Sequence, residues 1–321
     1  MNILANDGIS PAGLTALESA GHRVWTDFVE AGDLESFINE NAVDGLLVRS
    51  ATKVRKPLID ACPNLKLIIR GGVGMDNIDV AYAREKGINV RNTPASSSQS
   101  VAELVMGHLF NLSRFLHDSN RRMPVEGVEQ FKSLKKAYGK GKELRGKRLA
   151  IVGFGRIGQS LAQYAIGCGM QVVGVDKNTG THTLELEIAG QTLNVEVPLI
   201  TLDEAISSAD VISLHIPAQA NGDAVIGAAE LARMKPGVIL LNAARGGVVD
   251  EDALMEALDS GQVAGAGLDV FVGEPKPRAE VIRHARVSLS PHIGAATGEA
   301  QERIGLEIAA IVEEISAKQP A

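Results

Sequence analysis

Short aliphatic runs separated by amphipathic stretches recur along nearly the whole chain, and that alternation narrows the choice of fold more than any other feature. In the first part the runs are Asn2–Ala5, His22–Trp25, Gly45–Val48, Leu65–Ile69 and Ile88–Val90, with helical patterns such as Pro11–Ala20 and Ile78–Lys86 between them. Strand, helix, strand at this spacing requires crossover connections and hence parallel sheets. Helical spacing of Val101, Leu104, Val105, His108, Leu109 and Leu112 predicts a long helix over Ser97–His117. A second series of strands follows at Arg148–Val152, Gln171–Val175, Val211–His215, Val238–Asn242, Ala264–Leu268 and Val287–Ser290, closed by a helix from Thr297 to about Ala317. Two doubly wound α/β domains follow from this order. Residues Thr181–Val197 interrupt the rhythm: polar and apolar residues alternate about an Ala-Gly pair, the pattern of an inserted β-hairpin.

Composition excludes several classes. Apolar residues make up 45% and charged residues 22% of the 321, a balance that rules out extended disorder. Aromatics are only 3%, so the core must be aliphatic and a base-stacking surface is not expected. A net charge of −7 argues against a general nucleic-acid binder. Cys62 and Cys168 stand too far apart for a disulfide framework or a metal cluster, and read as free thiols. The chain opens on a short strand with no basic or long apolar leader and contains no membrane-length apolar run, so a cytoplasmic location is expected. Between Arg121 and Arg148 ten basic residues face three acids, a segment of +7 in a chain of −7. Either it is a solvated loop or it serves an anion.

The strongest local motif is G-F-G-R-I-G at Gly153–Gly158. It follows one aliphatic run and opens a helical pattern, and the next run ends in Asp176, the context a dinucleotide fold requires. Gly153 makes the tight turn, Gly155 admits a pyrophosphate, Gly158 allows close packing, and the helix N-terminus supplies amide donors. Asp176 would accept the ribose hydroxyls and repel a 2′-phosphate, favouring NAD. In parallel sheets ligands sit beyond the carboxyl ends of strands. Arg49 with Ser50, Arg70 with Gly71, Gly72 and Val73, and Arg91 all fall there, and the first two groups suit a carboxylate or phosphate. Arg245, Glu274 and His292 fall on loops at one edge of the second sheet. An imidazole moves protons near neutral pH, a carboxylate orients it, and a guanidinium holds a substrate carboxylate.

These motifs, together with N-A-A-R-G-G at Asn242–Gly247, G-L-D-V-F at Gly267–Phe271, G-E-P at Gly273–Pro275 and P-H-I-G-A-A-T at Pro291–Thr297, resemble the D-isomer-specific 2-hydroxyacid dehydrogenase family over essentially the whole chain. Val48–Val54, Gly71–Asp79 and Asn92–Pro94 are most similar to D-3-phosphoglycerate dehydrogenases. The resemblance implies a flavodoxin-like substrate domain of residues 1–95 and 291–321 and a Rossmann NAD domain of residues 96–290. It implies Arg245 as substrate binder, His292 as acid/base with Glu274 as its partner, and Arg49, Ser50, Arg70, Gly71, Gly72 and Val73 as substrate contacts. The implied NAD contacts are Gly153, Phe154, Gly155, Arg156, Ile157, Gly158, Asp176, His215, Pro217, Ala243, Arg245, Asp269, His292, Gly294 and Ala295, with no metal. It also implies a homodimer through residues 97–148. If that arm reaches a neighbour's cleft, the charge of the +7 segment puts Lys135 and Lys136 in place to complete a phosphate site for a small phosphorylated 2-hydroxy acid; otherwise they only solubilise a loop.

The reaction so implied is oxidation of 3-phospho-D-glycerate to 3-phosphohydroxypyruvate, the first step of serine synthesis. A hydroxypyruvate or glyoxylate reductase is the alternative within the family, and an NAD-sensing corepressor-like binding protein the alternative outside enzymes. Three features depart from the family pattern: the end at Ala321 without the regulatory domain of longer relatives, the hairpin, and H-I-P-A-Q at His215–Gln219. The other histidines, His108 included, read as structural.

Overall fold

The computed structural model describes residues 1–317. The chain runs β1 (Asn2–Ala5), α1 (Pro11–Ser19), β2 (Arg23–Trp25), α2 (Leu34–Glu40), β3 (Gly45–Val48), α3 (Lys56–Ala61), β4 (Leu67–Arg70), α4 (Val80–Glu85) and β5 (Asn89–Asn92). Then come α5 (Ser98–Arg114), α6 (Leu116–Ala137), β6 (Arg148–Val152), α7 (Arg156–Gly167), β7 (Gln171–Val175), β8 (Gly180–Ile188) and β9 (Gln191–Ile200). The rest is α8 (Leu202–Ser208), β10 (Val211–Leu214), α9 (Ala228–Arg233), β11 (Val238–Asn242), α10 (Glu251–Ser260), β12 (Val263–Leu268), α11 (Ala279–Arg283), β13 (Val287–Leu289) and α12 (Gly298–Ser316). Two compact units result: unit 1 holds Met1–Ser98 and the chain from Ala295 onward, unit 2 holds Gln99–Gly294. These limits lie three to four residues beyond the expected 95/96 and 290/291: Ser96 is bonded to Glu307 and Arg303 of unit 1, and Asp269 of unit 2 holds the amides of Ile293 and Gly294. Of the expected stretch 291–321, residues 318–321 lie outside the described chain.

Unit 1 is built on a five-stranded parallel sheet of order β2-β1-β3-β4-β5. Alternate side chains point to opposite faces. Ile3, Ala5, Leu47, Leu67 and Ile69 pack against Leu17 of α1 and Ile304, Ile308 and Val312 of α12. Leu4, Leu46, Val48, Ile68 and Val90 pack on the other face against Leu34, Ile38, Ile59 and Ala83. Burial on both faces explains why the strands read as continuous aliphatic runs. Helix α1 starts where Ser10 accepts from the Gly13 amide and Pro11 fixes φ; Thr297 caps α12 on the Ala300 amide. The two helices touch backbone to backbone: a β-carbon on Gly13 would lie 2.6 Å from Gly305 Cα.

Unit 2 carries an eight-stranded sheet, β13-β12-β11-β10-β6-β7-β9-β8, parallel except for the β8–β9 pair. Leu149, Ile151, Val211 and Leu241 pack with α5 and α7, while Ala150, Val152, Ile212 and Leu240 pack with α8 and α10. The hairpin is present and turns at Ala189 and Gly190, both at positive φ. It is more than an insertion: β9 pairs in parallel with β7 at Gly174–Leu199 and Val175–Ile200, so it serves as the strand beyond β7. Its buried Leu184, Leu186 and Val197 join the cluster that includes α7, and His182 meets the Phe154 ring edge-on at 5.4 Å.

The expected helix Ser97–His117 is interrupted. Phe115 takes φ 56°, so α5 ends at Arg114 and α6 begins at Leu116. The first half of the basic segment is therefore helical rather than a loop, with Lys132, Lys135 and Lys136 exposed near its end. Among the described residues no helix is long and apolar enough to cross a membrane.

Candidate active site

In unit 2 the strand order reverses between β6 and β10, and the glycine-rich turn lies beyond β6. Gly153 has φ 94°, and a β-carbon there would lie 2.4 Å from the His215 carbonyl; one on Gly158 would lie 2.4 Å from the Gly153 carbonyl. Only glycine fits either place. Gly155 has open space at its β-position and is exposed, as is Arg156 at the start of α7. That cradle fits a pyrophosphate, with helix amides aimed outward. Asp176 is exposed at the end of β7, one oxygen accepting from the Lys177 amide at 2.7 Å. His215 bonds Ser213 Oγ through Nε2 at 2.8 Å, and its buried Nδ1 finds no partner among the described residues. Burial pushes the His215 ring down to about 4, so it stays neutral. Phe154 and Ile157 differ from expectation: Phe154 is 3% exposed, and both side chains pack into the core beneath the turn.

At the far side of the same sheet, the tail of β12 organises the acid–base pair. His292 Nδ1 donates to Glu274 Oε2 at 2.7 Å, while Glu274 Oε1 accepts from the Phe271 amide at 2.8 Å. Both side chains are partly exposed, at 42% and 35%. A carboxylate can only accept, so Nδ1 carries a proton toward Glu274, and Nε2 is the ring atom left to exchange one. Glu251 Oε1 takes the neighbouring Val272 amide at 2.8 Å. His292 itself stands at φ 55°, in the left-handed region. Non-glycine residues there cost on the order of 1 to 3 kcal/mol, so the surroundings must hold them. Asp269 does so: Oδ1 accepts from Ser290 Oγ at 2.6 Å and Ile293 N at 2.9 Å, and Oδ2 from Gly294 N at 2.8 Å. Gly294 also gives its carbonyl to Ser100 Oγ at 2.6 Å.

Two expected cofactor contacts, Asp269 and the Gly294 backbone, are thus already engaged within the protein. The family resemblance implied them as NAD contacts, and motif likeness does not register whether a strand-end aspartate binds outward or inward. Ala295 likewise gives its carbonyl to Gln301 Nε2. Arg245 lies past β11, its Nη1 donating to the Ala244 carbonyl at 2.6 Å, and Asn242 Nδ2 holds the Arg245 carbonyl at 2.9 Å. Ala243 is half-buried beside it and Pro217 is exposed past β10.

In unit 1 the order reverses between β1 and β3, and a cavity of about 730 Å³ opens there. Arg49 lines it together with Gly8, Ser10, Gly298 and Gln301. Asp7, unnoticed in the sequence although it too sits at a strand end, holds this loop: it accepts from Arg49 N at 2.6 Å, Thr52 N at 3.1 Å and Thr52 Oγ1 at 2.5 Å. Asn77 Nδ2 donates to the Arg49 and Thr52 carbonyls. Ser50 and Val73 are exposed. Gly71 and Gly72, expected among the substrate contacts, are buried, and the Gly71 amide donates to the Val48 carbonyl at 2.8 Å. The Arg70 guanidinium lies over Gly72, within 1.6 Å of where a β-carbon would stand. Among the described residues no cluster of three His, Cys, Asp or Glu side chains could hold a metal.

A glycine cradle at one switch point and a carboxylate-held imidazole at the edge of the same sheet define a dinucleotide-dependent oxidoreductase. Residues 106–294 match the family model described as D-isomer specific 2-hydroxyacid dehydrogenase, NAD binding domain. A hydroxypyruvate reductase of Thermotoga maritima is 43% identical over 89% of this chain and 88% of its own length. A D-3-phosphoglycerate dehydrogenase of Mycobacterium bovis is 36% identical over 96% of this chain and 55% of its own, so the chain spans about half of that relative. A D-lactate dehydrogenase from Aquifex aeolicus, solved with NAD and lactic acid, superposes with TM-score 0.77 and 28% identity over 99% of this chain and 96% of that one. The chain belongs to the D-isomer-specific 2-hydroxyacid dehydrogenase family. It is an NAD-dependent oxidoreductase whose substrates are small 2-hydroxy acids.

Proposed function

We propose that this chain oxidises 3-phospho-D-glycerate to 3-phosphohydroxypyruvate. The observation that carries the chemistry is the 2.7 Å contact between His292 Nδ1 and Glu274, which leaves Nε2 free to take a proton. Nε2 removes the C2 hydroxyl proton as the C2–H bond breaks and the carbonyl forms; Glu274 stabilises the resulting imidazolium. NAD, when bound, accepts the hydride. Arg245 is assigned to the substrate carboxylate, and Gly153–Gly158 with Asp176 to the pyrophosphate and ribose. On unit 1, Arg49, Ser50 and Arg70 are assigned to anionic groups of the substrate.

Phosphate specificity is attributed to Lys135 and Lys136 of a second copy in a homodimer through residues 97–148. Exposed apolar side chains on α6 support that assembly: Val125 is 83% exposed, Val128 97% and Phe131 56%. A second reading, reduction of hydroxypyruvate or glyoxylate, is favoured by the length and identity of the Thermotoga relative.

Initial rates with 3-phosphoglycerate, D-glycerate, D-lactate and, in reverse, hydroxypyruvate separate the two. The proposal expects the highest kcat/KM for 3-phosphoglycerate. It also expects a K135A/K136A pair to raise that KM about tenfold or more, at roughly 1 kcal/mol per screened cation, with D-glycerate unchanged. Preference for hydroxypyruvate, with the lysine pair indifferent, establishes the second reading instead.

A further inference from the structure

Behind the His292 loop a polar chain crosses an otherwise aliphatic core. His108 of α5 is 6% exposed, with Nδ1 2.8 Å from Ser288 Oγ and Nε2 2.9 Å from Ser290 Oγ. Ser288 and Ser290 are 1% and 8% exposed, and Asp269 1%. Asn111 Nδ2 donates to Ser288 Oγ at 2.6 Å. Each hydroxyl has one proton, and that fixes the direction of the chain. Ser290 must spend its proton on Asp269, 2.6 Å away, because the carboxylate can only accept. The Ser290 oxygen therefore receives a proton from His108 Nε2, and Nδ1 is left to accept from Ser288. Burial lowers the His108 pKa, against the opposing pull of Asp269, and so favours the neutral ring. The donors run Asn111 to Ser288 to His108 to Ser290 to Asp269, and Asp269 holds the two amides that follow His292.

We propose that His108, as the neutral Nε2–H tautomer, is a positioning residue for His292: through Ser290 it fixes the Asp269 carboxylate and so the left-handed turn that presents the imidazole. A buried chain of hydrogen bonds ending on a charge strengthens along its length, and Leu or Phe at 108 would leave two buried hydroxyls without their partner. The inference rests on His292 as the acid–base group, and the His292→Ala variant described below tests that reading separately.

The test uses the full chain with NAD. His108→Phe is expected to lower kcat about ten- to a hundredfold while substrate KM moves less than about threefold, since a small displacement of a reacting group costs turnover first. His108→Gln, which can donate to Ser290 and accept from Ser288, should recover most of the loss. Ser290→Ala should act on the same pathway, so that the H108F/S290A double variant is no worse than its poorer single parent. If His108→Phe does not fold, ¹⁵N-histidine spectra of the wild-type and Ser290→Ala proteins at pH 7 carry the test. They should show a neutral His108 ring protonated at Nε2 in the wild type, with that signature altered in the variant. A folded His108→Phe with normal kcat, additive losses in the double variant, or an Nδ1–H ring overturns the proposal. Loss of thermal stability with kcat intact assigns His108 to the fold alone and overturns it equally.

Discussion

Each unit carries an aspartate just past one strand that holds the loop of the adjacent parallel strand through two amides and a hydroxyl. In unit 1 it is Asp7, past β1, gripping Arg49 and Thr52 beyond β3. In unit 2 it is Asp269, past β12, gripping Ser290, Ile293 and Gly294 beyond β13. The surroundings differ. Asp7 is half-buried and lines an open cavity, whereas Asp269 is 1% exposed and backed by the His108 chain. The loops differ accordingly: Arg49–Thr52 has no residue at positive φ, while the other loop holds His292 at φ 55°. A loop that only presents a charge can be held from a wet edge. A loop that must keep a strained residue in place needs a dry carboxylate, whose hydrogen bonds each contribute about 1.5 to 3 kcal/mol. Under the roles proposed for Arg49 and His292, the comparison predicts that the second loop governs turnover and the first affinity.

The largest expected effect lies on the chemistry side. His292→Ala should lower kcat by about 10² to 10⁴, the usual share of proton transfer, while the NAD dissociation constant from fluorescence titration stays within a few fold. Near-normal turnover would remove His292 from the reaction. On the binding side, Arg49→Ala should raise substrate KM by about ten- to a hundredfold, one charge-assisted contact, and leave kcat nearly unchanged. A fall in kcat with KM preserved would invert the comparison.

A smaller effect concerns unit 2 alone. The His215 ring titrates at about 4 in the fold, well below an unfolded histidine near 6.5. Its neutral state therefore contributes fully above pH 6.5, and stability is lost as pH falls from 6.5 toward 4, where only the unfolded chain takes the proton. The loss is on the order of 3 kcal/mol at its limit. Tm measured at pH 7 and pH 5 should fall less in His215→Gln than in the wild type, and equal falls would refute the attribution.

The strands were legible because both faces of each sheet are buried, which writes aliphatic runs into the sequence, and the Ala189-Gly190 turn was legible for its residue types. The break at Phe115 was not: apolar spacing continues through it, and an aromatic residue carries no preference for φ 56°. Pairing of β9 with β7 is a tertiary event that strand patterns cannot register. At the site, residue types identified Arg245, Glu274 and His292, and the structure places the last two in contact. They could not reveal that Asp269 faces inward, since two of its three partners are backbone amides. The serines did leave a trace: Ser288 and Ser290, two apart at the end of a buried strand, put hydroxyls on one face, and His108 answers them from α5.

The division of labour between the two aspartates is tested most directly by steady-state kinetics of Asp7→Asn and Asp269→Asn measured side by side, with Tm taken to confirm folding. Asparagine keeps the shape and halves the acceptors, so each loop is loosened in its own way. Asp269→Asn should lower kcat about tenfold or more with KM little changed, and Asp7→Asn should raise KM about tenfold with kcat little changed. The same kinetic signature from both variants, or the two signatures exchanged, would contradict the account.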